Sequence, residues 1–354
     1  MSAPPAVPPG RPAPEPARPP EGAYAPEELS DEEMMALANR AGHLRRIGRE
    51  LLHNTPLLVG LLMLAGFVAI ALGELVLLGS SLSTLPTNLV WANAASPPGP
   101  SAQHWLGVAN WFGVDELTAV LQATPWDLAL VGLILGASVA TGSLLGTYAG
   151  FAAGPADVVV TMVSDVLLSV PPFFLVSVLF LGVSLFLTNP AGYVWALIGL
   201  FIVVIWPYYA RPVRARAERV SREPYVEAAR AAGAPRRRVL WRHVLPNSLF
   251  PIFAQVPVDL YNIFFVLTLF PYLGCSGKYG NGNYGWIELL PSVTFPEWGN
   301  ELGVGVCRGW SFLGGADFWW MYLWPMIAIV LLGLTVMLIC DGLERMLHGR
   351  IYGG

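Results

Sequence analysis

Only 12% of the 354 residues carry a charge, against about a quarter in soluble domains. A water-facing globular surface of ordinary composition is therefore excluded. The residues of metal and nucleophilic chemistry are scarce too. Five histidines and three cysteines make no pair at metal-ligand spacing, and no Gly-x-Ser-x-Gly elbow is present. Gly277 and Lys278 fall in CSGKYG, but the upstream glycine spacing of a phosphate loop is wrong and no Ser or Thr follows the lysine. No catalytic residue, metal site or cofactor is expected on this chain, and nothing calls for nucleic acid as a partner.

What the sequence has instead is apolar length. Hydrophobic residues make up 55% of it and the mean hydropathy is +0.55. Six runs, 55–78, 126–150, 158–187, 193–209, 249–270 and 321–340, are long enough to cross roughly 30 Å of hydrocarbon, the fourth only barely. The expected fold is an all-α polytopic membrane protein with six transmembrane helices, and the lipid bilayer is its first partner.

Arginine sets the orientation. Ten arginines lie between Arg211 and Arg242, and at about 2.5 to 3.5 kcal/mol each for burial at a span centre they belong in water. Arg40, Arg45, Arg46 and Arg49 precede the first run, and Arg345 and Arg350 follow the last, whereas 79–125 holds no Lys or Arg. The positive-inside rule puts both termini and the arginine loop in the cytoplasm of a multi-pass cell-membrane protein.

The domain plan follows from these runs. Residues 1–29 form a Pro- and Ala-rich tail with too few large apolar side chains for a core. Residues 30–54 form a helix opened by a capping box, Ser30 to Glu33, with apolar positions Met34, Leu37, Ala41, Leu44 and Leu51. It reads equally as an interfacial helix or a solvated one. The first span, 55–78, leads to an extracytoplasmic connection, 79–125. A core of five spans, 126–348, includes the arginine loop 211–247 and a long outer loop 271–320, before a short tail, 349–354.

Within the arginine loop, EPYVEAARAAGAPRRRVLWRHVLPN has the punctuation of a helix-turn-helix. Pro224 suits a first helical position, Gly233 can take the left-handed conformation that stops that helix, and Pro235 can start a second. Ala228 and Ala229 keep the first helix narrow enough for a partner's groove, with Glu227 at its rim.

This stretch resembles the permease subunits of binding-protein-dependent ABC importers. Their loop carries Glu-Ala-Ala, three residues, Gly, about a dozen residues, then Leu-Pro; here these are Glu227, Ala228, Ala229, Gly233, Leu245 and Pro246. Arg242, His243, Leu245, Pro246 and Asn247 are similar to the RHxLPN ending of the dipeptide/oligopeptide/nickel branch, whose second, C-type permease this chain resembles. Residues 142–157, GSLLGTYAGFAAGPAD, SDVLLSVPPFFL and DGLERML resemble further elements of that branch, while its Gly-Arg-Asp element is poorly kept in 103–121 and a usual acid is replaced by Leu267. The resemblance implies coupling residues, Tyr225 among them. It implies a heterodimer with a second permease, two cytoplasmic ATPases that carry ATP and Mg, and an extracytoplasmic binding protein. Implied cargo is peptides or oligopeptides, with oligosaccharide or nickel as alternatives. A secondary transporter driven by an ion gradient is the competing class; it would place ionisable groups at mid-span and show repeated halves.

Other features keep two readings each. Gly142, Gly146 and Gly150 read as a close-packing ladder or as a ligand site, packing being favoured. Pro171 and Pro172 line the translocation path or simply kink a helix. Asp259, with Asn262 one turn on, faces the path or the other permease, or makes a structural hydrogen bond. Trp286, Trp298, Trp310, Trp319 and Trp320 form an aromatic set in the outer loop, the last two beside the final span.

Cys275 and Cys307 both fall on the side where disulfides persist, while Cys340 ends the last span. Bridging them would remove roughly 3.5 to 4 kcal/mol of loop freedom on the chain-entropy model; two free thiols are the alternative. Peptide mapping without reductant checks this: the expected outcome is a Cys275–Cys307 cross-linked peptide and no alkylation of either residue.

Overall fold

The computed structural model describes residues 54–77, 98–109, 114–152, 154–184, 186, 190–275, 297–309 and 318–352. The tail 1–29, nearly all of the helix expected over 30–54, Trp286, Trp310 and the side chains of Cys275 and Cys307 lie outside the described residues, and with them the expected disulfide. The rest is an all-α polytopic membrane protein. In chain order it comprises α1 (Thr55–Leu77), a two-stranded antiparallel hairpin of β1 (Val108–Ala109) and β2 (Val114–Asp115), α2 (Glu116–Ala152), α3 (Pro155–Leu168), α4 (Pro172–Ser184) and α5 (Pro190–Val220). There follow α6 (Pro224–Ala231), α7 (Arg236–Val239), a π turn (Leu240–Val244), α8 (Leu245–Ser248), α9 (Ile252–Cys275), α10 (Trp298–Gly309) and α11 (Trp320–Tyr352).

Helices α1, α2, α5, α9 and α11 are long and apolar enough to cross a membrane. The remaining apolar run is broken, because α3 and α4 meet at a bend of 88°. Two prolines account for the break. Pro171 disfavours helical geometry in Val170, and Pro172 has no N–H to continue the ladder, so the chain restarts there with Leu175 N–H donating to Pro171 O. Helix α5 is longer than its apolar run. Its 31 residues span about 46 Å and carry Arg211, Arg214, Arg216 and Arg219 on the same continuous helix.

The tightest packing is between α2 and α5. A Cβ at Gly142, Gly146 or Gly150 would fall under 3.0 Å from the backbone carbonyl of Trp206, Ala210 or Arg214 respectively. The glycine ladder is thus a row of backbone-to-backbone contacts, the way helices approach where lipid supplies no hydrophobic drive. Around this pair lies the main core, with Ile134, Phe180, Phe201, Ile205, Tyr209, Leu260, Ile263, Phe264 and Trp298 all buried. Helices α1 and α11 close the bundle. Asn54 Nδ2 donates to Gly342 O at 2.7 Å, and Gly60 and Gly342 lie against Ile339 and Leu57.

At the end away from the arginines, Asp115 caps α2 by accepting from Thr118 N–H at 3.1 Å, and its other oxygen meets His104 Nδ1 at 3.0 Å. The Trp320 and Trp324 indoles donate to Val108 O and Leu106 O, both at 3.2 Å. Gly107 makes that contact possible: its φ is 90°, and a Cβ there would collide with the Trp320 ring. Trp298 is pinned more deeply. Its N–H donates to Asp127 Oδ2 and its indole to Val120 O, both at 2.9 Å, and its ring stacks on Phe264.

The α2–α5 contact predicts a strong size effect. Gly146→Leu forces the two backbones apart, and overpacking at a sealed contact costs about 1 to 3 kcal/mol or more. The expected outcome is a sharply lower yield of monodisperse protein in detergent and a lower thermal midpoint. Gly66→Leu, where a Cβ meets nothing within 4 Å, should leave both unchanged.

Candidate functional site

The arginine-rich end of α5 runs into a helical hairpin formed by α6 and the return limb α7, π turn and α8. Glu223 is extended (φ −70°, ψ 143°), as a residue before proline prefers, and Pro224 opens α6 where a missing N–H costs nothing. The helix stops at Gly233, whose φ is 80°. Gly233 N–H donates to Arg230 O at 3.0 Å and Ala234 N–H to Ala229 O at 3.1 Å. This paired closure satisfies the last carbonyls and needs a left-handed residue at its turn. Pro235, again extended, leads into α7.

The Leu-Pro pair lies just beyond the π turn. Leu245 N–H donates to Leu240 O, five residues back. The widened turn relieves the crowding that the Pro246 ring would otherwise impose on the carbonyl four residues earlier, so the limb bends without breaking. Asn247 Nδ2 donates to His243 O at 2.7 Å, and the His243 ring lies 6.3 Å from that of Tyr225. Partial burial and the Glu223 carboxylate push the Tyr225 phenol up, so it stays a neutral donor.

One face of the hairpin is glued to α5. Val226, Val239 and Val244 meet Ala217 and Val220 in a small buried cluster, with Phe151 of α2 beside it. Arg230 lies over the Phe151 ring at 5.4 Å, a cation–π contact. The opposite face is bare: Glu227, Ala228, Ala231, Ala232 and Gly233 are exposed and Ala229 is half-buried. Arg242, Pro246 and Asn247 are exposed as well. The arrangement is a short, smooth helix offered outward on a rigid base, fit for contact with another protein.

The path candidates fall in two places. Asp259 of α9 is 1% exposed; its Oδ1 accepts from Gln255 at 3.0 Å and from Asn262 at 3.4 Å, and Tyr209 of α5 stands beside it. It faces the interior of the bundle. Pro171 and Pro172 sit at the α3–α4 break, next to α9 through an edge-to-face contact of Phe173 with Phe265 at 5.9 Å.

Sequence reasoning passed over the polar side of α3. Asp157 pairs bidentately with Arg214, the second bond being 2.7 Å, and Asp165 pairs with Arg211. The available signal was Asp157, Thr161 and Asp165 recurring every four residues in a mostly apolar run, one face over two helical turns.

Comparison with known proteins places these features in context. The family model described as "Binding-protein-dependent transport system inner membrane component" matches residues 142–352. The chain is 31% identical over 275 residues to the probable D,D-dipeptide transport system permease protein DdpC of Escherichia coli K12, covering 77% of this chain and 82% of that one. It is 27% identical over 308 residues to the dipeptide transport system permease protein DppC of Alkalihalophilus pseudofirmus, covering 87% and 90%. Against the oligopeptide transport system permease protein OppC of Bacillus subtilis it is 27% identical over 252 residues, covering 69% and 76%.

The valine cluster predicts that Val226→Asp loosens the hairpin without touching the spans, because a buried carboxylate without a partner is strongly disfavoured. Trypsin reads this directly at Arg230 and Arg236–Arg238. Cleavage there should accelerate about tenfold or more, as expected when local opening becomes cheap, while cuts elsewhere keep their rate.

Proposed function

The chain belongs to the family of binding-protein-dependent transport system inner membrane components, as a permease subunit of a peptide importer, and we propose that it forms half of the translocation path and receives an ATPase on its hairpin. In this reading the arginine-rich end and both termini face the cytoplasm. A second permease subunit completes the path, two ATPase subunits bind ATP and Mg, and a binding protein delivers peptide at the opposite end. The chain itself transports and does no chemistry.

One observation carries the reading: a bare surface, Glu227 to Gly233, formed by α6 and its closing turn, is held by a buried valine cluster on the end of α5. A partner that binds this face grips α5 directly. Closure of two ATPases around ATP draws two such hairpins together, and α5 with α2 turns as one body because their backbones touch. The path then changes from inward- to outward-facing. Peptides are the substrate class that the names of the relatives support.

Gly233→Val tests the docking role without a steric confound. No atom lies within 4 Å of a Cβ at this position, so the substitution acts only through the left-handed backbone, which a β-branched residue strongly resists. The spans should insert and the protein should purify normally, while co-purification of ATPase subunits and ATP-dependent peptide uptake are lost. Gly233→Asn, which tolerates the same conformation, should keep both. Wild-type uptake in the valine variant would overturn the assignment.

A further inference from the structure

Helix α5 has two unlike neighbours along its arginine-bearing half. Towards α2 the contact is backbone on backbone, with no room for one methyl group. Towards α3 it is made by side chains that reach. Arg214 donates to both carboxylate oxygens of Asp157, and Arg211 donates to Asp165. Asp157, Thr161 and Asp165 recur every four residues and so line one face of α3, and with Val158, Met162 and Arg214 they border an open groove of about 680 Å³.

Helix α3 packs only lightly on α2 and α5. Of its 14 residues only Ser164 is buried, and Val158, Val159, Met162, Val163 and Val166 are exposed. Beyond the 88° break the situation reverses, for α4 is anchored in the main core by Val176 and Phe180. The broken run is therefore a limb packed into the core around α2 and α5, a two-proline joint and a lightly packed limb tied to α5 by two arginine pairs. This tie is made by side chains, which have alternative staggered rotamers, whereas the glycine contact is made by backbone, which has none. The Arg211–Asp165 pair, with side chains 62% and 50% accessible, adds little to stability, whereas Arg214–Asp157, 31% and 23% accessible, is half-buried and bidentate. Both are placed to hold α3 to the arginine-bearing half of α5.

We infer that the Asp157–Arg214 and Asp165–Arg211 pairs are the linkage by which movement of the hairpin reaches α3. This rests on the reading of the hairpin as an ATPase dock. The hairpin is fused to α5 by its valine cluster, α5 is fused to α2, and the charged pairs pass the rotation of that body to α3, swinging it about Pro171. The four residues are positioning residues for the transport step. They take no part in ATP hydrolysis. Removing the pairs should leave an importer whose ATPases turn over while α3 stays still.

The test uses the full complex in proteoliposomes, with Cys275, Cys307 and Cys340 replaced by serine and spin labels at Met162→Cys on α3 and Val258→Cys on α9, both exposed positions. With native pairs, ATP plus vanadate should shift the label-to-label distance. In Asp157→Asn/Asp165→Asn the shift should shrink at least about threefold while binding-protein-stimulated ATP hydrolysis stays within about twofold, and the exchange Asp157→Arg/Arg214→Asp should restore the shift, the signature of a pairwise interaction. Asp165→Asn alone, at an exposed site, guards against misfolding and should reduce the shift partially. An undiminished shift in the double variant overturns the inference, as does a loss of shift and hydrolysis together that the charge exchange fails to repair. A chain that never co-purifies with ATPases overturns the docking reading as well; one that does, and swings α3 without the pairs, overturns this linkage only.

Discussion

The contact between α2 and α5 sets the geometry of everything else in this protein. Three glycines on α2 lie against three carbonyls on α5 with no space for a Cβ. In hydrocarbon, apolar side chains gain nothing by leaving lipid for protein, so helices are held by close approach and by the hydrogen bonds they share. Because the separation is fixed by backbone, the crossing of the two helices has little freedom. The valine cluster hangs on the end of α5, Phe151 of α2 completes it, and Trp298 is pinned to Val120 and Asp127 on the other half of α2.

Polar groups then mark the few places where elements distant in sequence must meet. Asp127 holds the backbone of Trp298 across 171 positions, and Asp115 holds both the start of α2 and His104. These are short, directional and buried or half-buried contacts. The pairs on α3 differ from one another: Arg211–Asp165 is open to solvent, while Arg214–Asp157 is half-buried and bidentate. A bundle built this way has stiff and compliant interfaces in the same few helices, and the stiff ones converge on the hairpin.

How much of this could be read from the sequence depended on the range of the cue. The hairpin was legible because its signals are local: Pro224 starts it, Gly233 turns it, and Pro235 and Pro246 shape the return. The length of α5 was not. Arginines from Arg211 onward mark where the chain meets water, but arginine is a good helix former, so the backbone carries on to Val220. The two prolines at the α3–α4 joint were visible, whereas a bend of 88° depends on where α4 finds its core. The tryptophans of the outer loop looked alike in composition. Trp298 and Trp320 are buried, 1% and 8% exposed, while Trp319 is 39% exposed, and only hydrogen-bond partners far along the chain separate them. The pairing of α3 acids with α5 arginines, 57 and 46 positions apart, has no local signature at all.

The seam between α1 and α11 carries a consequence for how the protein is made. Asn54 and Gly342, joined by a hydrogen bond, stand 288 residues apart. At about 5 to 20 residues per second of synthesis, the second emerges roughly 15 to 60 s after the first. During that interval α1 is already long and apolar enough to rest in the bilayer, and lipid satisfies its surface as well as α11 later does, so waiting costs it little. The seam between α1 and α11 thus waits for a segment made long after α1. A chain that stops short of Gly342 lacks both the acceptor for Asn54 and the partner of Leu57, so the seam on α1 stays unmade.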